Sequence, residues 1–158
     1  ECMILRKYIV NYVKELVQQC NTRDPYLIAA EKDIEIFHLP MSEKINGYFF
    51  QCSEGSAIII NEKIHEVKKP FVAAHELLHA TVHNEEAAFI RQRNVHEKHK
   101  VLEHEGNFFA VELLIDEEFF RSNEGRTIKE IADVTGMPEH MINSKYEEVL
   151  RQRNERLS

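Results

Sequence analysis

Apolar residues recur at Ile4, Leu5, Tyr8, Ile9, Tyr12, Val13, Leu16 and Val17, a three-to-four spacing that predicts an amphipathic helix over residues 4–19. Asn21 to Asp24 break the period. Asp24-Pro25 then reads as an N-cap with proline at the first helical position, opening a short helix to Ala29 or Ala30. Three strands follow: Asp33 to His38, Tyr48 to Gln51, and Ala57 to Asn61, the last two joined by the turn residues Ser53-Glu54-Gly55-Ser56. A helix begins at Lys69-Pro70, with Phe71, Ala74, Leu78 and Val82 as its apolar stripe. Asn84 to Lys98 is polar without a period and reads as a loop. Helix resumes near His99 and runs to about Leu114, Asp116 caps a short turn through Phe120, and Thr127 to about Arg153 is helical again. Ser122 to Arg126 is the candidate linker. Three strands behind two helices, then helices to the end, predict an α+β fold. Residues 1–121 form its main domain and 122–158 a C-terminal helical segment packed on it, with no internal repeat.

Composition narrows the classes. At 158 residues and 43% hydrophobic content the chain can bury one core. A formal charge of −7 argues against a dedicated nucleic-acid binder. The longest apolar runs, such as Ala57-Ile58-Ile59-Ile60, are too short to span a bilayer, so no membrane partner is expected. Cys2, Cys20 and Cys52 are odd in number, widely separated and without C-x-x-C spacing. They imply neither a disulfide scaffold nor a zinc ribbon. With no cleavable apolar segment at the start, a reducing cytoplasm is the expected location. Nothing in the pattern selects an oligomeric state.

The chemistry concentrates in His75-Glu76-Leu77-Leu78-His79. On a helix, positions four apart lie one turn, about 6 Å, apart on the same face, so His75 and His79 can grip one tetrahedral zinc ion. Glu76 lies off that axis yet within reach of a water at the open fourth position. This is the logic of H-E-x-x-H, where the metal acidifies the water and the glutamate acts as general base. The competing reading is a histidine-rich helix whose imidazoles merely share a face. The flanking Val72, Ala73, Ala74, Leu77 and Leu78 weigh against it, because buried imidazoles and a buried carboxylate are costly unless something satisfies them. His83 lies a turn beyond the pair and reads as a helix C-terminal residue favoured by the dipole, against the alternative of a ligand or of a residue that contacts one. The metzincin extension is absent, since Val82 and Glu85 occupy its glycine and final histidine positions. A third ligand must come from elsewhere, and Glu103, His104 and Glu105 are on offer. Glu103 shares a helix face with Asn107, Ala110 and Leu114, so it turns inward, against the alternative of a solvated charged face. Asn107 could hydrogen-bond a ligand from behind. His104 and Glu105 point sideways and are expected to be peripheral. An oxyanion stabiliser is required as well, but nothing in the spacing selects among Tyr48, His140 and Tyr146.

These residues resemble the ImmA/IrrE-type metallopeptidases. The resemblance begins at Asp24-Pro25-Tyr26-Leu27-Ile28-Ala29 and continues through Gly47-Tyr48 and Ala57 to Asn61. It is strongest in Phe71 to His79, and it returns in Glu103-x-Glu105-Gly106-Asn107-x-Phe109-Ala110-x-x-Leu113-Leu114. It implies a zincin-like, gluzincin-type endopeptidase with zinc on His75, His79 and Glu103 and with Glu76 as catalytic base. It also implies a protein substrate, a helix-turn-helix transcriptional repressor of a phage or mobile element. Leu78 stands where the family often has glycine, Gly106 where it has alanine, and Ile115-Asp116 where it has Met-Pro. None of these departures removes a ligand.

Thr127 to Pro138 looks like the first part of a helix-turn-helix, with its turn at Gly136. Residues 121–158 carry seven Lys/Arg and seven Asp/Glu, and the second helix offers Glu139, Glu147 and Glu148 to any phosphate backbone. Direct nucleic-acid binding is therefore not expected. The rival functional readings are a non-cleaving regulator that binds a repressor or DNA through these helices, with structural zinc, and a DNA binder that keeps a dead peptidase site.

Overall fold

The computed structural model describes residues 2–83 and 96–158. Its elements are α1 (Cys2–Cys20), α2 (Pro25–Glu31), β1 (Ile34–Leu39), β2 (Gly47–Cys52), β3 (Gly55–Asn61), a 3₁₀ turn (Glu66–Lys68), α3 (Lys69–Thr81), α4 (His96–Leu114), α5 (Glu117–Ser122), α6 (Ile128–Thr135) and α7 (Glu139–Leu157). The α+β order expected from the sequence is present, including the small three-stranded sheet. One boundary shifts. Helix α4 opens at His96 rather than near His99, so residues 96–98 are helix and not loop, while 84–95 lie outside the described residues. The helical stretch from Thr127 to Arg153 is two helices, broken at Gly136-Met137-Pro138, where the sequence pattern has its turn.

Caps explain the boundaries. The Asp24 carboxylate accepts from the Tyr26 N–H at 2.9 Å ahead of Pro25, and the Asp116 carboxylate accepts from the Phe119 N–H at 2.8 Å. Thr127 and Glu130 form a reciprocal capping box at the start of α6. Gly136 ends α6 at φ 68°, a left-handed conformation suited to glycine. A β-carbon there would also stand 2.7 Å from Lys68 Cγ and 3.0 Å from Lys68 Cα, so the break seats the C-terminal helices against the turn that leads into α3.

The sheet order is β1-β3-β2, with β1 parallel and β2 antiparallel to the central β3. Chain connectivity requires residues 40–46 to cross the end of β3 on the way from β1 to β2. Asn61, the last residue of β3 and wholly buried, secures that crossing. Its side-chain oxygen accepts from the Met41 and Lys63 N–H groups at 3.2 and 3.1 Å. Its amide donates to the Ser42 and Ile45 carbonyls at 3.1 and 2.8 Å. Both ends of the amide are thus used, and the crossing loop loses its anchor without them.

One face of the sheet presents Ile36, Phe49, Ile58 and Ile60 to the helices. Helix α3 lies between this face and α4 and is buried continuously from Val72 to Ala80, its polar His75, Glu76 and His79 included. Leu78, fully buried, contributes about 2 kcal/mol by leaving water. A second apolar cluster of Val111, Ile115, Ile131, Met137 and Ile142 joins α4 to α6 and α7, and Phe71 and Leu114 pack against both clusters.

A buried ion pair ties α7 to α4. Lys145 Nζ donates to Glu112 Oε1 at 2.6 Å, and both side chains are almost wholly buried. Burial raises the Glu112 pKa above the ordinary carboxylate value, against the opposing pull of Lys145. A carboxyl whose pKa is raised on folding contributes stability below its unfolded value and loses it as pH rises through the folded value.

Two outcomes follow from these contacts. Asn61→Ala should cost about 3 kcal/mol in urea unfolding, because it strands buried loop N–H and C=O groups. Lys145→Met should destabilise the fold by about 3 kcal/mol at neutral pH, where the Glu112 carboxylate is left without its counter-ion. The deficit should shrink near pH 4, where that carboxyl is protonated, and unfolding curves at the two pH values check it.

Candidate metal centre

Helix α3 faces α4 through small residues, and Gly106 marks the closest approach. A β-carbon at 106 would lie 2.7 Å from His75 Cε1 and 2.8 Å from His75 Nδ1, so the ring lies directly against the α4 backbone. The departure from the family's alanine therefore sits under a candidate ligand.

His75 and His79 are 8% and 2% exposed, and their Nε2 atoms stand 3.0 Å apart. Glu103, one helix away, brings Oε2 to 3.3 Å from His75 Nε2 and Oε1 to 3.8 Å from His79 Nε2. One donor atom from each of the three residues lies within 4.8 Å of the others. Behind the pair, the His75 Nδ1–H donates to Asn107 Oδ1 at 2.9 Å, since an amide oxygen only accepts. In neutral His75 the lone pair is then at Nε2, facing His79 and Glu103. Two ring nitrogens at 3.0 Å need a proton or a cation between them, and the adjacent carboxylate favours positive charge there. The donor set fits a divalent ion.

Electrostatics agree with that picture. Burial disfavours a charged His75, but its hydrogen bond to Glu103 and the charges of Glu76 and Glu103 outweigh it and raise its pKa above the ordinary histidine value. The Glu103 pKa falls to about 2, held down first by the hydrogen bond to His75, with burial opposing and His75, His79 and His99 adding their charges. Glu76 is buried on α3 beside His75. Gly47 brings β2 close to this point: a β-carbon at 47 would stand 2.7 Å from Val72 Cγ1 and 3.5 Å from Glu76 Cγ.

The structure thus assembles His75, His79 and Glu103 and sets Asn107 behind His75. Two sequence expectations need correction. Glu105 is not peripheral: its side chain is 11% exposed and its Oε2 lies 2.7 Å from His83 Nε2. His83 is 7% exposed, and its Nδ1 is 3.1 Å from His79 Nδ1, so it is more than a helix-end residue. The missed signal was the joint spacing, with His83 four residues past His79 and Glu105 two past Glu103. His104 is exposed, as expected. Of the two tyrosine candidates for oxyanion stabilisation, Tyr48 points to the opposite sheet face from Phe49, and Tyr146 packs its ring on Phe120 at 5.1 Å.

An α+β domain with this histidine–histidine–glutamate group on two packed helices has the form of a metal-dependent peptidase. The chain belongs to the ImmA/IrrE-type family: the sequence model of the IrrE N-terminal-like domain, peptidase family M78, matches residues 29–147. It is also similar to "Uncharacterized immunity region protein 2" of Bacillus phage phi105, with 29% identity over 136 residues that cover 84% of this chain and 85% of that protein. The family is one of metal-dependent peptidases, whose substrates are proteins. Among the described residues no helix is long and apolar enough to cross a membrane.

Asn107→Ala should lower the affinity for a divalent ion about tenfold while the protein stays folded, because the His75 ring loses its fixed orientation. Titration against a chromophoric chelator, with circular dichroism as the folding control, checks this.

Proposed function

We propose that the chain is a zinc-dependent endopeptidase that cleaves a transcriptional repressor of a phage or mobile element in the cytoplasm. The observation that carries the reading is the convergence of His75, His79 and Glu103 from α3 and α4. Two imidazoles and one carboxylate are the donor types of catalytic zinc, with three protein ligands and a fourth position open. Such an ion, when bound, supplies Lewis acidity toward a peptide carbonyl and a more acidic water. Glu76 takes the proton from the attacking water on its carboxylate and returns it to the departing amine. Asn107 keeps the His75 proton on Nδ1 and its lone pair toward the centre.

A peptide has a place to lie. Strand β2 is an edge of the sheet among the described residues, paired only with β3, and its first residue passes beside Glu76. An extended segment laid along that edge would bring a scissile bond past the base. A sheet edge places no terminus in the path, which suits cleavage within a chain.

The repressor substrate rests on the family resemblance and on the phage relative, whose name places that protein in an immunity region. In this reading residues 1–121 form the zincin-like catalytic domain. Residues 122–158 form a helix-turn-helix-like segment packed on it, with acidic side chains that disfavour DNA.

Glu76→Gln should retain zinc yet lose cleavage by at least about 100-fold, whereas His79→Ala should lose both. Metal analysis of the purified proteins and mass spectrometry of a co-incubated phage repressor read the two properties separately. Persisting cleavage by Glu76→Gln would overturn the base, and zinc retained by His79→Ala would overturn the site.

A further inference from the structure

Behind His79 the structure holds a second pair of groups. His83 Nδ1 lies 3.1 Å from His79 Nδ1, and His83 Nε2 lies 2.7 Å from Glu105 Oε2. All three side chains are close to nine-tenths buried or more. His79 lies in the last turn of α3, His83 follows just past the helix end, and Glu105 comes from α4.

Hydrogen-bond chemistry gives this row a direction. An ionised carboxylate only accepts, so the proton of neutral His83 resides on Nε2 and is donated to Glu105. His83 Nδ1 then carries a lone pair and accepts from the His79 Nδ1–H. With its proton committed there, neutral His79 holds its lone pair on Nε2, the atom 3.0 Å from His75 Nε2. Reversing the row would put a proton on His79 Nε2, where a cation would have to sit.

We infer that Glu105 and His83 are positioning residues that fix the tautomer and ring orientation of His79, as Asn107 does for His75, and thereby set the metal affinity of the centre. The inference rests on the reading of His79 as a metal ligand. The two arms are unequal. His75 is held by one neutral amide, His79 by an imidazole backed by a charged carboxylate, a charge-assisted arrangement that makes the second ligand the more basic.

The test uses the full-length protein. In the metal-free wild type, ¹⁵N-histidine long-range correlation spectra should show His79 as the Nδ1–H tautomer and His83 as the Nε2–H tautomer. His83→Phe keeps the ring volume but removes the acceptor, and Glu105→Leu removes the carboxylate. Each should lower Zn²⁺ affinity by roughly 10- to 100-fold in chelator competition and mix the His79 tautomers. Glu105→Gln, whose amide oxygen can still accept from His83, should recover most of that loss. A merely structural role would lower the melting temperature but leave the tautomer and the affinity of the folded protein unchanged. The inference fails if wild-type His79 carries its proton on Nε2, or if folded His83→Phe and Glu105→Leu bind Zn²⁺ within twofold of wild type. Zinc retained by His79→Ala would instead remove the ligand reading beneath it.

Discussion

A buried imidazole must replace water at both ring nitrogens, and three such rings stand at His75 and His79 on α3 and at His83 just past its end. No apolar neighbour can meet that demand. The α4 face opposite meets it with Glu103, Asn107 and Glu105, two residues apart in succession. The contact between α3 and α4 is therefore both the packing centre of the fold and the frame of the candidate site. Its close approach depends on Gly106 and on the small residues Ala73, Ala74 and Ala110. The sheet supplies a wall of isoleucine and phenylalanine on the other side of α3, and so keeps the imidazoles facing α4.

The remaining elements hold that pair in place. Helix α1 lies along α4, and Arg23 donates to the Glu112 and Leu113 carbonyls at the end of α4, at 3.1 and 3.0 Å. Orphan carbonyls at a helix end are thereby satisfied by charge. The Lys145–Glu112 pair secures the same helix from the C-terminal side, and Gly136 lets α6 end hard against the turn that precedes α3. The candidate site thus sits where restraints from both ends of the chain meet.

Much of this was legible in the sequence because it is written in local patterns. Helical periodicity located α1, caps located α2 and α5, and the four-residue spacing of His75 and His79 put them on one face. Glu103 could be singled out because it shares a face with core residues. What escaped depends on contacts between distant segments. The parallel pairing of β1 with β3 follows from a crossing that Asn61 anchors, and no short pattern announces that role. Glu105 looked solvated because a carboxylate between a histidine and a glycine usually is, and only the meeting of α3 with α4 supplies His83 as its partner. The break at Gly136 was visible as a turn, but its reason is Lys68, far earlier in the chain.

Gly106 carries one more implication. Because the α4 backbone presses directly on the His75 ring, the spacing of the donor atoms is dictated by interhelical contact and not by an ion drawing loose segments together. Small zinc modules collapse when stripped, since the ion is their only core. Here a chelator would empty a socket whose walls stand on their own aliphatic packing. Loading and unloading would then be an exchange reaction of a finished protein, governed by metal supply rather than by refolding.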